Sequence, residues 1–135
     1  MRVEGLTVLS SSFDPKTAMN RLIAAVEKRG ITILACIDHA AAAEKFGLAL
    51  RPTELLIFGN PRVGTAIMQT VQSTGIDLPL KALVWLDADG KTWLGYSNPV
   101  WIAARHHIGA GSETTTQAMT AALTAVAKEA TGSAA

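Results

Sequence analysis

The chain has 135 residues, 49% of them apolar and 17% charged, with a formal net charge of +1. That is long enough to bury a hydrophobic core without disulfide or metal staples, and too apolar for a disordered polymer. The 12 basic residues are scattered from Arg2 to Lys128, so there is no basic footprint for a nucleic acid, which is excluded as a partner.

The segment Met1 to Val8 meets polar residues too soon for a secretion signal, and no apolar run reaches the roughly 20 residues of a membrane span. A soluble cytoplasmic protein with no membrane partner is expected. The lone Cys36 fits a reducing compartment. So small a share of charge leaves apolar surface for a partner subunit to cover, and a homodimer is expected.

Residues 1–135 read as one domain, with a compact core over about 3–108 and a C-terminal helix over about 113–131. Residues 3–10 read as a strand. Asp14-Pro15, Asn60-Pro61 and Asn98-Pro99 each set a capping side chain before a proline at the first helical position, marking three helix starts. After Asp14-Pro15, Met19, Leu22, Ile23 and Val26 share one helical face and Gly30 supplies the stop. Residues 31–37 form a second strand, apolar on both faces and therefore placed centrally. Asp38 caps a short helix from His39 to Phe46, and a third strand covers Thr53 to Phe58.

The helix after Asn60-Pro61 is expected to run to about Thr74, with Val63, Ala66, Ile67 and Val71 as its inner stripe. Lys81 to Asp87 and Lys91 to Tyr96 pair as a hairpin across Asp89-Gly90, both residues tolerating the positive φ of a primed turn. A short helix from Asn98-Pro99 ends near Ile108-Gly109. A hinge at Ala110-Gly111-Ser112 leads into a last helix with Met119, Ala122, Leu123 and Val126 buried, and the final residues are expected to fray. The order predicts an α+β two-layer sandwich, a mainly antiparallel sheet with helices on one face.

Ile37-Asp38-His39-Ala40, Pro52 through Pro61, Gly64-Thr65, Leu78-Pro79-Leu80-Lys81 and the Trp85 hairpin resemble the family known as domain of unknown function 302, from about Ser10 to His107. The resemblance implies a fold similar to the TATA-binding-protein sandwich, a β-α-β4-α arrangement often homodimeric, and supplies no catalytic residues. DNA binding does not follow from the fold, because the basic face and intercalating aromatics it would use are missing.

Candidate chemistry begins with Cys36, Asp38 and His39 at the exit of the second strand. A thiolate stabilised by His39 would make Cys36 a nucleophile. The plainer reading makes Cys36 a small core residue sharing a face with Leu34, and Asp38 a helix cap. Glu54 shares a face with Leu56 and Phe58. Buried beside His39 or Lys81 it would be a proton-transfer group, and the plainer reading is a salt bridge to Lys81.

The turn Phe58 to Thr65 offers first-turn amides, Asn60, Arg62, Gly64 and Thr65 as an anion receptor. Its plainer reading is turn and cap chemistry. It lacks the Gly-x-x-x-x-Gly-Lys spacing of a phosphate loop. His106 and His107, adjacent at a helix end, point apart and are explained by the helix dipole, while Asp87-x-Asp89-Gly90 is hairpin chemistry. No metal or cofactor is expected. Trp85, Trp93, Tyr96 and Trp101 either close a core or wall a groove or dimer interface.

Three functions stay open. The first is a homodimeric domain binding a small, anionic ligand through Asp38, His39, Glu54, Asn60, Arg62, Gly64 and Thr65. The second is a small thiol- or acid/base-dependent enzyme using Cys36, His39 and Glu54, and the third is a structural interaction module with no polar pocket.

Overall fold

A computed structural model describes residues 2–133. In chain order the elements are β1 (Leu6–Ser11), α1 (Pro15–Lys28), β2 (Thr32–Asp38), α2 (His39–Glu44), β3 (Thr53–Gly59), α3 (Pro61–Thr70), β4 (Leu80–Leu86), β5 (Thr92–Ser97), α4 (Pro99–Arg105) and α5 (Glu113–Thr131). Two 3₁₀ turns, Gln72–Ile76 and Ala110–Ser112, precede β4 and α5. The strands form one antiparallel sheet in the order β1-β5-β4-β3-β2, with α1 and α5 packed on one face. This is the expected α+β sandwich, and with the short helices set aside the chain runs β-α-β4-α.

The proline-marked helix starts hold. Asp14 accepts from the Thr17 amide, Asn60 from Arg62 and Asn98 from Val100, so each side chain satisfies an amide that the first turn leaves without a partner. Ala18, Met19, Leu22 and Val26 of α1 are fully buried against Leu56, Phe58, Val84 and Leu94 of the sheet and Leu123, Val126 and Ala130 of α5. Each large side chain removed from water here stabilises the fold by about 1.5–3 kcal/mol.

Several expectations are corrected. Strand β2 is an edge, not central: among the described residues it pairs only with β3, and its register slips between Ile33 and Ala35. Apolar residues on both faces report what covers a strand's faces and say nothing of its lateral neighbours. Helix α3 stops at Thr70, where Val71 adopts φ −138° and ψ 100°, and a 3₁₀ turn follows. Of its expected stripe only Ile67 is buried.

The hairpin pairs Trp85 with Trp93 as expected, but only Gly90 takes a positive φ, +80°. The turn is a three-residue loop with glycine at the left-handed position, closed by Gly90 N–H to Asp87 O at 3.1 Å and Asp87 N–H to Lys91 O at 2.8 Å. Helix α2 ends at Glu44 and buries none of its residues. The C-terminus is tied down as far as it is described: Thr131 is fully buried and its carbonyl accepts from Ser12 N–H at 2.9 Å. The expected fraying otherwise concerns residues 134–135, outside the described residues.

Candidate functional site

At the exit of β2, Asp38 lies opposite Glu54 and Cys36 opposite Leu56. The Cys36 thiol donates to Glu54 Oε2 at 3.3 Å, and Lys16 Nζ stands 3.9 Å from Glu54 Oε1. Cys36 is exposed, not a core residue, because the irregularity at Leu34 breaks the alternation and the edge position leaves the strand uncovered. Partial burial, then the hydrogen bond and charge of Glu54, push the thiol up to about 11. It is a protonated thiol at neutral pH, the opposite of an activated nucleophile.

Asp38 is the cap of α2, its Oδ1 accepting from Ala41 N–H at 2.9 Å. His39 is exposed at the first position of α2, and the thiol's partner is Glu54 instead of the imidazole. Glu54 does face the same side as Leu56 and Phe58, but it does not bridge to Lys81. Lys81 pairs with Ile57 on the other sheet face, and its ammonium donates to the carbonyls of Pro79 at 2.9 Å and Asp77 at 3.3 Å. Asp38 and Glu54, with Asp14, Lys16, Glu44 and Arg51, line an open cleft of about 1060 Å³.

The turn from Gly59 to Thr65 lies elsewhere. Glu54 and Gly59 stand near opposite ends of β3, about 17 Å apart at the rise of an extended strand. Asn60, Gly64 and Thr65 border a separate groove of about 610 Å³ between α3 and α5, walled by Leu78, Met68 and Met119 among others. Arg62 is exposed and outside that lining. The structure therefore divides the expected ligand site in two: a polar cleft holding Asp38 and Glu54, and an apolar groove holding Asn60, Gly64 and Thr65. Neither includes His39.

Trp85 lies against Gly95, its ring 3.1 Å from where a β-carbon would sit, so the helix-free face is partly covered by its own rings. Trp93 Nε1–H donates to Asp87 Oδ2 at 2.7 Å. Among the described residues no helix is long and apolar enough to cross a membrane, and no three His, Cys, Asp or Glu side chains gather as a metal site.

One polar cluster escaped the sequence reading. His106, at the end of α4, joins Ser73 of the 3₁₀ turn and Asp77 just after it, with Nε2 2.5 Å from Asp77 Oδ2 and Nδ1 2.8 Å from Ser73 Oγ. Arg105 Nη1 donates to both Asp77 oxygens at 2.9 and 3.0 Å. Extending α3 to Thr74 hid it, because the turn after Val71 is what brings Ser73 and Asp77 to α4.

The profile of the family described as "Domain of unknown function DUF302" matches residues 6–126. The chain belongs to the DUF302 family. The uncharacterized conserved DUF302 protein from Bacillus stearothermophilus has the same fold, with a TM-score of 0.82 at 17% identity over 95% of this chain and 99% of that one. Among curated proteins, the chain is 40% identical over 128 residues to the fluoride-specific ion channel FluC 1 of Brucella suis biovar 1 (strain 1330), covering 95% of this chain and 50% of the relative. It is also 40% identical over 128 residues to FluC 1 of Brucella abortus biovar 1 (strain 9-941) and to FluC 2 of Brucella melitensis biotype 1, covering 47% of each. The chain thus spans about half the length of the curated relatives it matches.

These relatives overturn the expectation of a small-ligand-binding domain, and with it the alternative of a small enzyme built on Cys36, His39 and Glu54. The curated relatives at this identity carry the name of a channel. In the structure the thiol is unactivated, and the expected ligand residues lie toward two ends of a strand.

Proposed function

We propose that this DUF302 chain is an accessory domain of fluoride-channel proteins, standing outside the ion pathway. The observation that carries the reading is the match to FluC-named relatives along 95% of this chain but only 50% of the first of them. A helical path through a bilayer needs about 20 consecutive apolar residues per span, with all backbone polar groups paired internally. The longest helix here, α5, has 19 residues and carries Glu113, Lys128, Glu129 and several threonines. The matched half is assigned a role beside the pore, and the unmatched half the pore itself. Fluoride-electrode efflux from liposomes tests this: the Brucella suis protein is expected to discharge its vesicles with or without the matched segment, and this chain alone is not. Fluoride flux carried by this chain alone would overturn the assignment.

The same domain is proposed to bring two copies of the chain together along β2. Of the eight large apolar side chains exposed among the described residues, five, Leu34, Ile37, Phe46, Leu48 and Leu50, fall on β2 and on the segment between α2 and β3. From Thr32 to Asp38 the only ionic side chain is Asp38, at the strand's end, so the open edge lacks the lysine that commonly keeps edges apart. Native mass spectrometry is expected to show a dimer that Leu34→Lys together with Ile37→Lys returns to monomer. A dimer untouched by these lysines places the contact elsewhere.

A further inference from the structure

The cluster at the end of α4 has an internal direction. Carboxylate oxygens only accept, so the ring proton of His106 lies on Nε2, toward Asp77 Oδ2 at 2.5 Å. In the neutral imidazole Nδ1 is then the acceptor, and the Ser73 hydroxyl donates to it across 2.8 Å. Nucleophile, base and orienting carboxylate stand in series, as they do where a weak hydroxyl is activated on unrelated folds, here with the two ring nitrogens exchanged.

Burial follows the same order. The His106 side chain is 7% exposed and Asp77 17%, while Ser73 is open to solvent. The base is shielded and the nucleophile reachable. Arg105 fixes both oxygens of Asp77, and Lys81 donates to the Asp77 backbone carbonyl, so the carboxylate is held in place from two sides. A clamp between the 3₁₀ turn and α4 would be complete with Asp77, Arg105 and His106. It does not call for a solvent-facing hydroxyl on the remaining ring nitrogen.

We propose that Ser73 is a nucleophile for small acyl esters, with His106 as general base and Asp77 as positioning residue, an activity independent of the channel-accessory role. Ser73 Oγ attacks the ester carbonyl carbon as its proton passes to His106 Nδ1. The carbon–oxygen bond to the leaving group breaks, and the imidazolium returns the proton to the departing alkoxide. Water then attacks the acyl-serine by the same base and frees acid and hydroxyl, with no oxidant or reductant involved.

The test uses the whole chain with p-nitrophenyl acetate, reading acetylated peptides by mass spectrometry and nitrophenol by absorbance. Acetylation is expected at Ser73 at least about a hundredfold faster than at the exposed Ser10 or Ser12 of the same molecules, the scale of general-base assistance. Ser73→Ala abolishes the adduct and the nitrophenol release while the melting temperature holds, and His106→Gln slows acetylation of Ser73 by a similar factor. Acetylation of Ser73 no faster than of Ser10 overturns the proposal from wild-type protein alone, whatever the variants do. Undiminished acetylation in His106→Gln overturns it too and leaves the cluster as a clamp.

Discussion

The two sides of β3 are built to different standards. Toward β4 and β5 the sheet lies under α1 and α5, where Leu22, Leu56, Phe58, Val84 and Leu94 are almost completely withdrawn from water. Toward β2 the layer thins: α2 buries nothing, α3 buries only Ile67, and Phe46 is 82% exposed. The same residue types appear on both sides. The difference teaches that apolar composition here serves two ends, packing in one half and an uncovered surface in the other.

Paired truncations test this contrast most directly. Phe58→Ala empties a close-packed site and is expected to lower unfolding free energy by about 3–5 kcal/mol in urea titrations. Phe46→Ala removes a ring already in water and is expected to stay within about 0.5 kcal/mol of the parent. Comparable losses from the two would mean that the β2 side is packed as tightly as the centre.

The sequence reading follows the same line. Helix starts, the hairpin and the α1 stripe were legible because each depends on neighbours in sequence: a cap before a proline, a turn between alternating runs, a 3.6-residue period. Strand β2 misled because its lateral neighbours are set by topology, and Leu34 fell out of alternation through a local irregularity that no residue type announces. The candidate site was legible in parts. Asp38 was correctly a cap and Glu54 correctly shared a face with Leu56 and Phe58. Their grouping with Asn60 and Thr65 ignored the length of the strand between them. The cluster of Ser73, Asp77 and His106 depends on where α3 stops, and Val71 gave no more signal there than a β-branched residue gives anywhere.

On the open side, Cys36 offers a finer probe. Its thiol is exposed yet held up to about 11 by partial burial and by Glu54, against an ordinary 9.0. At pH 8 the thiolate fraction is expected to fall by about a hundredfold from that of an unperturbed thiol, with alkylation by iodoacetamide slowed to match. Glu54→Gln removes the hydrogen-bonded charge that favours the protonated form and is expected to speed alkylation several-fold. Because the folded value lies above the unfolded one, the thiol's contribution to stability is complete below pH 9.0 and disappears as pH rises through about 11. An alkylation rate equal to that of a free thiol would show that Glu54 does not hold Cys36.

The smallest effect belongs to the hairpin, on the well-packed side. Asp87 accepts from Trp93 Nε1–H at 2.7 Å and from the amides of Asp89 and Lys91 at 2.9 Å each, closing the turn by side chain as well as backbone. The Trp93 hydrogen bond, followed by that of the Lys91 amide, holds this carboxyl below its ordinary 3.8. A lowered folded value gives stability that is present above pH 3.8 and is lost as pH falls through the folded value below it. Trp93 fluorescence in acid titration is therefore expected to change with a midpoint below pH 3.8, a transition that Asp87→Ala removes. A change centred on the ordinary carboxyl value would mean that the ring and the carboxylate are not joined in solution. The turn would then rest on Gly90 and the backbone alone, as loosely held as the β2 edge.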